Sequence, residues 1–475
     1  MTPGVALDPG CAHERGHITD SRFYGHNYAT EASRRIFCDV CRYQRWLDIE
    51  AALALCQAEL GLVPPEQAER IAEAAHVERL DLDLVRSEIR RTGHSLVGFL
   101  RALQEACADG AGEFIHYGAT TQDIQDTGQA LEMGDVLREA DRDLAEIVRI
   151  LAPLARSHAD TLMVGRSHAR AALPMTFGLK VASWIDELLR HGERLEECAA
   201  RVVVAQLFGG VGTMAGFGGH GPVLLERFAR RLGLGVPAVC WHTARDRVSE
   251  YVSTMAALSA TLARILDEVR TLSRPEFGEL EEAWRPGKVG SSTMPHKRNP
   301  EECQQVVVLA RLAAAQVPLA LQAIVGEHER DSRSLRLEWT MVADVSHYSL
   351  AALAISRQIL SGLLVHEDVM AANAQEVAGA VCTESLMLAL GHHLGKQSAH
   401  THVYELCQDA TSRGLPLLEH LRSSPSVHEH LGDEELARIF DPSAYVGVAP
   451  DLAASTAERA ERWLASRELT AGAAA

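Results

Sequence analysis

Apolar residues recur every three or four positions along three segments of this chain. They are Trp46, Ile49, Leu53, Cys56 and Leu60 in the first segment, Leu144, Ile147, Leu151 and Leu154 in the second, where Leu137 precedes them by one heptad, and Leu258, Leu262, Ile265, Val269 and Leu272 in the third. This spacing places the apolar side chains on one face of an α-helix. Few segments alternate as strands do, so the pattern predicts an all-α protein. Seams this regular are expected to pack against other helices, in the same chain or in another subunit.

Polar and glycine-rich segments separate the predicted helices. Breaks are expected at residues 116–128, 164–178, 208–221 and 290–300. The third break lacks the P-loop lysine and the GxGxxG spacing, so nucleotide binding is not expected there. Dividing the chain near residues 115 and 365 predicts three domains: an N-terminal helical domain (1–115), a central bundle of long helices (116–365) and a C-terminal helical domain (366–475).

Composition and charge narrow the class of partner. Ala and Leu dominate while aromatic residues make up 5% of the chain, which favours helices. The formal net charge of −18 argues against nucleic acid as a partner, because phosphate backbones would be repelled. An anionic ligand would need locally gathered Lys and Arg side chains.

The N-terminal stretch, the lack of long apolar runs and the distribution of cysteines predict a cytoplasmic protein. The N-terminal stretch has no basic-then-apolar targeting signal, and no run of 18 apolar residues is present, so no membrane span is predicted. The ten cysteines are scattered, which suits a reducing compartment. Cys38 and Cys41 have a CxxC spacing without a second half, so they are interpreted as helix positions and no metal site is predicted.

The break at residues 290–300, GSSTMPHKRNP, carries the densest polar chemistry. Asn299 and Pro300, followed by two acidic residues, are typical of a helix start. The preceding loop is therefore expected at a helix N-terminus, where an anion is favoured. Gly287 and Gly290 give the loop freedom to move. An ordinary polar connector is the alternative, but two serines, a histidine, a lysine and an asparagine within nine positions favour a functional loop.

Three further candidates are weak when each is taken alone. Thr120 and Thr121 in GATTQD have adjacent hydroxyls that can donate to a carboxylate, or they simply cap a helix. His168 in GRSHAR and His94 in RTGHSLVGF are candidate acids or bases, or they satisfy structural hydrogen bonds.

Taken together, these motifs resemble the fumarase/aspartase superfamily, which includes fumarase, aspartase, argininosuccinate lyase, adenylosuccinate lyase and carboxymuconate cycloisomerase. GATTQDIQDT, GRSHARAALPMTFG and GSSTMPHKRNP occur in the family's order and at its distances. The resemblance implies a three-domain fold, a homotetramer with a twenty-helix core and active sites that take loops from three subunits. It implies a small dicarboxylate substrate and no cofactor.

The resemblance also implies residue roles. Ser291 resembles the general base that removes a proton from the carbon next to a carboxylate. The remaining expected site residues are Lys297 and His168 as catalytic residues, with Thr120, Thr121, Arg170, His94, Asn299, Ser292, Met294 and Arg330 as substrate-binding residues. A nearby lysine and helix-end amides favour a serine alkoxide, and cationic and hydrogen-bonding groups hold the aci-carboxylate intermediate.

The motifs of this chain resemble more than one branch of the superfamily. His94 and His168 resemble adenylosuccinate lyases, in which the second histidine protonates the leaving nitrogen. GGVGTMAG, EHERDSRSLRLEW and GKQSAHTHVYELC resemble cycloisomerases. Asn27 and Tyr28 stand where adenylosuccinate lyases have a phosphate-gripping Arg-Tyr pair, and Trp339 stands in place of a later arginine. These departures argue against a nucleotide substrate.

Two more departures concern the leaving group. Arg170 replaces a glutamine, which implies a substrate with more negative charge at that end, unless Arg170 forms a structural salt bridge. Gln304 replaces a glutamate that supports the catalytic histidine, so the leaving group must depart with little acid help. The prediction is β-elimination from nitrosuccinate to fumarate and nitrite in secondary-metabolite biosynthesis, with Arg170, His94 and Arg330 as anion contacts. The alternatives are 3-carboxy-cis,cis-muconate cycloisomerase, an adenylosuccinate-type C–N lyase and a non-catalytic structural homologue.

Overall fold

The computed structural model describes residues 16–285 and 287–474, with side chains through Arg467. The chain is 69% helical, which confirms the all-α prediction. The predicted absence of a targeting signal concerns the N-terminal stretch, of which residues 1–15 lie outside the described residues.

The chain forms two compact units. Unit 1 comprises the described residues of Met1–Ala140, Leu195–Ala260 and Val308–Ala354, and unit 2 comprises those of Asp141–Arg194, Thr261–Val307 and Ile355–Ala475. The predicted borders at residues 115 and 365 fall between helices, and the three-domain division stays a prediction.

The helices and strands follow one another along the chain. They are α1 (Glu31–Phe37), α2 (Asp39–Ala58), α3 (Pro65–Ala74), α4 (Leu82–Thr92), α5 (Val97–Ala106), α6 (Thr121–Ser157), β1 (Leu162–Ser167), β2 (Arg170–Thr176), α7 (Phe177–Val202), α8 (Gly221–Arg231), α9 (Asp246–Leu272), β3 (Leu280–Glu281), α10 (Glu301–Ala314), α11 (Val317–Ala323), α12 (Ser332–Ser361), β4 (Leu364–Val365), α13 (Glu367–Glu376), α14 (Ala378–Val381), α15 (Thr383–Leu394), α16 (Lys396–Arg413), α17 (Leu417–Arg422), α18 (Pro425–His428), α19 (Asp433–Ile439) and α20 (Ala449–Ala474). Single 3₁₀ turns lie at Ile18–Asp20, Gly25–Asn27, Val77–Arg79, Ala111–Phe114, Ala215–His220 and Pro442–Tyr445.

The three apolar seams lie in α2, α6 and α9, as predicted. All five residues of the third seam are at most 1% exposed. In the first seam, Leu60 lies outside the helix, because α2 ends at Ala58. In unit 1, Trp46 and Leu53 of α2 belong to a core that includes Phe99 and Phe228. The seams therefore bury one helix face each, and this burial supplies most of the stability of such helices.

Two of the predicted breaks differ from the structure. Residues 121–128 are helical, because α6 already begins at Thr121. Residues 164–178 contain an antiparallel hairpin of β1 and β2, paired from Leu162–Thr176 to Ser167–Arg170. The sequence predicts only a break between helices there, and the two-residue turn of the hairpin contains no glycine that would indicate strand pairing. The start of α10 at Glu301, directly after Asn299 and Pro300, is as expected.

One helical stretch, Glu301–Ala323, is long and apolar enough to cross a membrane by length and composition, although one third of it is buried. A single stretch of this kind is weak evidence, because helices at the core of an assembly have the same composition. Its exposed apolar residues include Val308 at 40% and Leu321 at 55%. Such a face is suited to contact with another helix.

Candidate active site

The segment 290–300 is a loop of unit 2 between β3 and α10. The Ser291 hydroxyl oxygen accepts hydrogen bonds from the backbone N–H groups of Met294 at 3.1 Å and Thr293 at 3.4 Å. Ser291 is half-buried, whereas Ser292 and Met294 are exposed. Hydrogen bonds donated to an oxygen favour its anionic form, so this turn stabilises negative charge on the Ser291 side chain.

The loop is closed by contacts at its ends. The Asn299 side-chain amide donates to the Gly290 carbonyl at 2.5 Å. A Cβ atom at Gly290 would lie 2.2 Å from the carbonyl oxygen of Lys297, so only glycine fits at this position. Among the described residues the exposed Lys297 ammonium makes no ion pair, and no hydrogen bond joins it to Ser291. The pairing of Lys297 with Ser291 stays a prediction.

A buried carboxylate that the sequence analysis did not single out caps α10. Glu282, 5% exposed, accepts a hydrogen bond from the Cys303 N–H at 2.6 Å. Its second oxygen accepts from the Lys288 ammonium at 2.9 Å. Burial opposes the charge of Lys288, but Glu282 and Glu302 raise its pKa. Glu282 thus takes the capping role expected of Asn299, and it joins the segment that precedes the loop to the first turn of α10.

His168 and Arg170 lie at the tip of the hairpin in unit 2. His168 and Ala169 form the two-residue turn and have φ angles of +50° and +61°. Non-glycine residues rarely adopt this conformation, which costs about 1 to 3 kcal/mol per residue. Both His168 and Arg170 are exposed, and neither makes an ion pair or a side-chain hydrogen bond within the described part of the chain. The structural salt bridge considered for Arg170 is therefore not found there.

The hairpin is anchored next to its tip by Arg166. The guanidinium donates to both oxygens of Glu279, at 2.6 and 2.9 Å, and Glu279 is fully buried. Asn373 also donates to Glu279 at 2.9 Å, and the ring centroid of Phe277 lies 4.6 Å from the guanidinium carbon. A bidentate pair of this kind restricts the orientation of Arg166. The contacts account for how a strained tip is held in place.

Thr120, Thr121 and Arg330 lie in unit 1, at and beside the N-terminus of α6. Arg330 donates to the Thr120 hydroxyl at 2.7 Å and to the Gln122 side-chain oxygen at 3.2 Å. Two of the residues expected to bind substrate are thus in direct contact. Arg330 is exposed, while Thr120 and Thr121 are half-buried. The arrangement presents a cation beside hydroxyl donors at a helix N-terminus, which suits a carboxylate.

A buried aspartate fixes the backbone under these threonines. Asp123 accepts hydrogen bonds from the N–H groups of Thr120, Phe208 and Gly209, at 2.9 to 3.0 Å. The His242 ring nitrogen Nε2 lies 3.0 Å from the same carboxylate. Asp123 and His242 are both fully buried or nearly so. The glycine-rich break after Phe208 is therefore bound to the start of α6.

His94 lies in unit 1 and is exposed. Its Nδ1 accepts hydrogen bonds from the backbone N–H groups of Leu96 and Val97, at 3.3 Å each. A neutral imidazole that accepts at Nδ1 carries its proton on Nε2. His94 can therefore donate one hydrogen bond from Nε2 to an anion.

His116, in the loop before α6, pairs with a glutamate of α2, and this pair makes a pH-dependent contribution to the stability of the fold. His116 Nδ1 lies 2.7 Å from Glu50, which is 1% exposed. Burial lowers the pKa of His116, but the Glu50 carboxylate outweighs it and the net pKa is raised. Because the pKa of His116 is higher in the folded state, the pair with Glu50 stabilises the folded protein fully at pH values below the unfolded-state pKa of about 6.5. This stabilisation is lost as the pH rises through the folded-state pKa.

We therefore expect the free energy of unfolding to decline as pH rises above about 6.5, and the decline to be shallower in Glu50→Gln. Urea unfolding at pH 6, 7, 8 and 9 measures this directly. An equally steep decline in Glu50→Gln would contradict the assignment to this pair.

The predicted site residues divide between the two units. Unit 1 holds His94, Thr120, Thr121 and Arg330, and unit 2 holds His168, Arg170, Ser291, Ser292, Met294, Lys297 and Asn299. Gln304, the predicted replacement for a supporting glutamate, is exposed in α10. Glu282, Glu279, Asp123 and Glu50 are not among the residues predicted from the sequence. Asp123 lies within the GATTQDIQDT motif, whereas the other three lie in none of the motifs.

No group of three or more His, Cys, Asp or Glu side chains suited to a metal ion occurs among the described residues. Cys38 and Cys41 are free thiols at the start of α2, where Cys38 accepts from the Cys41 N–H at 3.3 Å. Cys41 lies in the first turn of α2, whereas Cys38 is the N-cap residue before that helix and has an extended backbone, so the interpretation as helix positions holds for Cys41 alone.

Comparisons with known proteins cover nearly the whole chain. A family model described as lyase matches residues 26–319, and the model of the adenylosuccinate lyase C-terminus matches residues 379–455. An N-acetyl-S-(2-succino)cysteine lyase from Enterococcus italicus is 39% identical over 92% of this chain and 95% of its own length. An adenylosuccinate lyase from Methanocaldococcus jannaschii is 34% identical over 90% and 93%. The crystal structure of the 3-carboxy-cis,cis-muconate lactonizing enzyme from Pseudomonas putida has a TM-score of 0.86 at 34% identity, covering 92% of this chain and 98% of that chain.

Proposed function

Because this chain belongs to the lyases of the fumarase/aspartase superfamily, we propose that it eliminates a weakly basic leaving group from a 2-substituted succinate and releases fumarate. The observation that carries the proposal is the Ser291 turn, in which two backbone N–H groups point at the hydroxyl oxygen. Serine is a poor base in water, and these donors lower the free energy of its alkoxide.

In the proposed reaction, the Ser291 alkoxide takes a proton from C3, next to a carboxylate. The electron pair forms the aci-carboxylate, and its collapse forms the double bond while the bond from C2 to the leaving group breaks. Thr120, Thr121, Lys297 and Asn299 hold the negative charge of the intermediate. His94 and Arg330 bind the carboxylates, and Ser292 and Met294 line the substrate. The direct contact of Arg330 with Thr120 supports this assignment.

The leaving group must depart with little protonation. His168 forms no ion pair with an acidic side chain among the described residues, and the glutamate expected to support it is replaced by the neutral Gln304, so no acid of this chain supports His168 as a proton donor. A thiolate satisfies this requirement, because a thiol has a pKa of about 8.5. The 39% identity to an N-acetyl-S-(2-succino)cysteine lyase supports an S-(2-succino) thioether as the first candidate substrate.

Nitrosuccinate is the second candidate substrate, with nitrite as a leaving group in secondary-metabolite biosynthesis. The observation that favours it is Arg170, an exposed cation that no acidic side chain neutralises within the described chain. A nitro group offers two acceptor oxygens in a plane, which match a guanidinium.

We also propose a cytoplasmic homotetramer in which each active site takes loops from three subunits. Members of this superfamily are generally oligomeric. The exposed apolar residues of α10 and α11 support burial against other helices of the same kind. The nine described cysteines are all free thiols, which supports a reducing compartment.

The test is a parallel assay with five compounds: N-acetyl-S-(2-succino)cysteine, nitrosuccinate, adenylosuccinate, argininosuccinate and 3-carboxy-cis,cis-muconate. Fumarate absorbance, released thiol and released nitrite are followed together, and loss of the muconate absorbance is followed separately. Equimolar fumarate and thiol support the first candidate, whereas equimolar fumarate and nitrite support the second. Turnover of carboxymuconate or adenylosuccinate alone would overturn both.

Arg170→Gln distinguishes the two candidates. If Arg170 binds the nitro group, kcat/KM for nitrosuccinate is expected to fall about 10- to 100-fold, the range for a lost charge-assisted hydrogen bond. The same variant should affect the thioether much less. Arg170→Lys keeps the charge and should recover part of the loss, so equal losses in both variants for both substrates would contradict the role of Arg170.

A further inference from the structure

Two half-buried thiols of unit 1 meet at the corner between α1 and α2. Cys38 follows the last residue of α1 and is the N-cap residue of α2, and Cys41 lies in the first turn of α2. The corner therefore places a CxxC sequence at the N-terminus of a helix of 20 residues. Neither thiol has a role in the elimination proposed above.

The N-cap conformation brings the two side chains together. Cys38 has an extended backbone, with φ −70° and ψ 145°, and its Sγ accepts a hydrogen bond from the Cys41 N–H at 3.3 Å. The Cys41 thiol in turn contacts the Cys38 side chain. Inside a helix, Cβ atoms three positions apart are separated by about 5 to 6 Å, which exceeds the roughly 4 Å of a disulfide. An N-cap residue instead directs its side chain over the first turn, so this pair can be joined by rotation of the side chains.

The surroundings give the two thiols different roles. The N–H group that donates to the Cys38 sulfur stabilises negative charge there, and a thiolate is the nucleophile in disulfide exchange. Burial raises the pKa of the Cys41 thiol and the Cys38 side chain raises it further, while the guanidinium groups of Arg45 and Arg35 lower it by less. Cys38 is therefore suited to attack first, and Cys41 to complete the exchange.

A small molecule can reach the pair. Cys38 and Cys41 are both half-buried, and Cys41 lines a cavity of about 280 Å³ in unit 1. Arg45 and Arg138 line the same cavity and both bind Asp135, so this part of its wall is held in place. The corner thus combines access from solvent with two thiols in contact.

We propose that Cys38 and Cys41 form a reversible disulfide by exchange with a low-molecular-weight disulfide. The Cys38 thiolate attacks one sulfur of the small disulfide, which forms a mixed disulfide and expels a first thiolate. Cys41 then gives its proton to solvent and attacks the Cys38 sulfur, which expels the second thiolate. Both expelled thiolates take up protons from solvent, so two protein thiols are oxidised and one small disulfide is reduced to two thiols. In a reducing compartment the pair stays reduced, and it responds when conditions become oxidising.

The test treats the full-length protein with oxidised glutathione, alkylates the remaining thiols after denaturation and identifies the tryptic peptides by mass spectrometry. Trypsin cleaves after Arg35 and Arg42, so both thiols fall in the peptide IFCDVCR, which contains no other cysteine. The expected product is this peptide without alkyl groups and about 2 Da lighter than its reduced form, because a disulfide lacks two hydrogen atoms. Dithiothreitol should restore both alkylation sites. A peptide that stays alkylated at both cysteines, or that carries glutathione as the final product, would overturn the proposal.

Two single variants test the order of the steps. Cys41→Ser should stop the exchange after the first step, so that glutathione accumulates on Cys38. Cys38→Ser retains a good N-cap residue, so α2 should form as before, and Cys41 alone should react with glutathione about tenfold more slowly, the range of one net hydrogen bond. Melting temperatures confirm that both variants fold. Equal rates of glutathione addition to the two variants would contradict the role of Cys38 as the attacking thiol.

A lone thiol of the same unit provides the matched control. Cys240 is half-buried like the pair but has no cysteine within three positions of it in the sequence. Cys240→Ser should form the disulfide of Cys38 and Cys41 at an unchanged rate, and loss of that product in this variant would overturn the assignment of the partners. The mass of the peptide is measured without substrate turnover, so failure of this proposal is distinguishable from failure of the proposed elimination.

Discussion

Replacing Ser291 with alanine is expected to reduce kcat about 10²- to 10⁴-fold, the usual contribution of a general base. The carbon acid next to a carboxylate is very weak, so no other step can proceed until its proton is removed. The Ser291 oxygen accepts from two backbone N–H groups, and alanine leaves these donors without a base to stabilise. Fumarate release under saturating substrate gives kcat directly.

A matched control separates loss of the base from loss of the loop. Thr293→Val removes the neighbouring hydroxyl but keeps the backbone N–H that donates to Ser291, and Thr293 is exposed, so kcat should stay of the same order. Melting temperature and oligomeric state should be unchanged in both variants. A Ser291→Ala protein that retains most of its kcat would exclude Ser291 as the base.

Regular helices were predictable because their information is local. The seam from Leu258 to Leu272 repeats with helical spacing, and it lies within α9 with all of its residues buried. The hairpin from Leu162 to Thr176 was missed, because its turn of His168 and Ala169 has positive φ angles without a glycine or asparagine to indicate them. Strain at a functional turn is held by distant contacts, which local propensity does not encode.

In the candidate site, too, some residues could be predicted from local sequence and others could not. The signature loop, the threonines and the hairpin histidine were found because each is a short contiguous motif. Two of the carboxylates that fix these regions are far from their partners in sequence: Glu279 lies 113 residues from Arg166, and Glu50 lies 66 residues from His116. Such pairs depend on the packing of whole helices, so a single sequence does not reveal which acids are buried.

The largest stability effect is expected at Arg245, which is 1% exposed. Its guanidinium donates two hydrogen bonds of 2.9 Å to Asp126, and it also binds Glu338, with Nε at 2.7 Å. Burial opposes the charge, but the two carboxylates raise the pKa of Arg245, so the guanidinium stays charged. Arg245→Leu leaves both acids buried and uncompensated, and it should lower the free energy of unfolding by about 3 to 5 kcal/mol.

An exposed pair in the same unit provides the control for this prediction. Arg201 binds Glu250 through both Nε and a terminal nitrogen, at 2.5 to 3.0 Å, but its side chain is about half exposed. Water solvates both charges when such a pair is broken, so Arg201→Leu should cost only about 0 to 1 kcal/mol. Chemical denaturation of both variants measures the difference. Equal losses would show that burial does not set the cost of removing an ion-paired arginine.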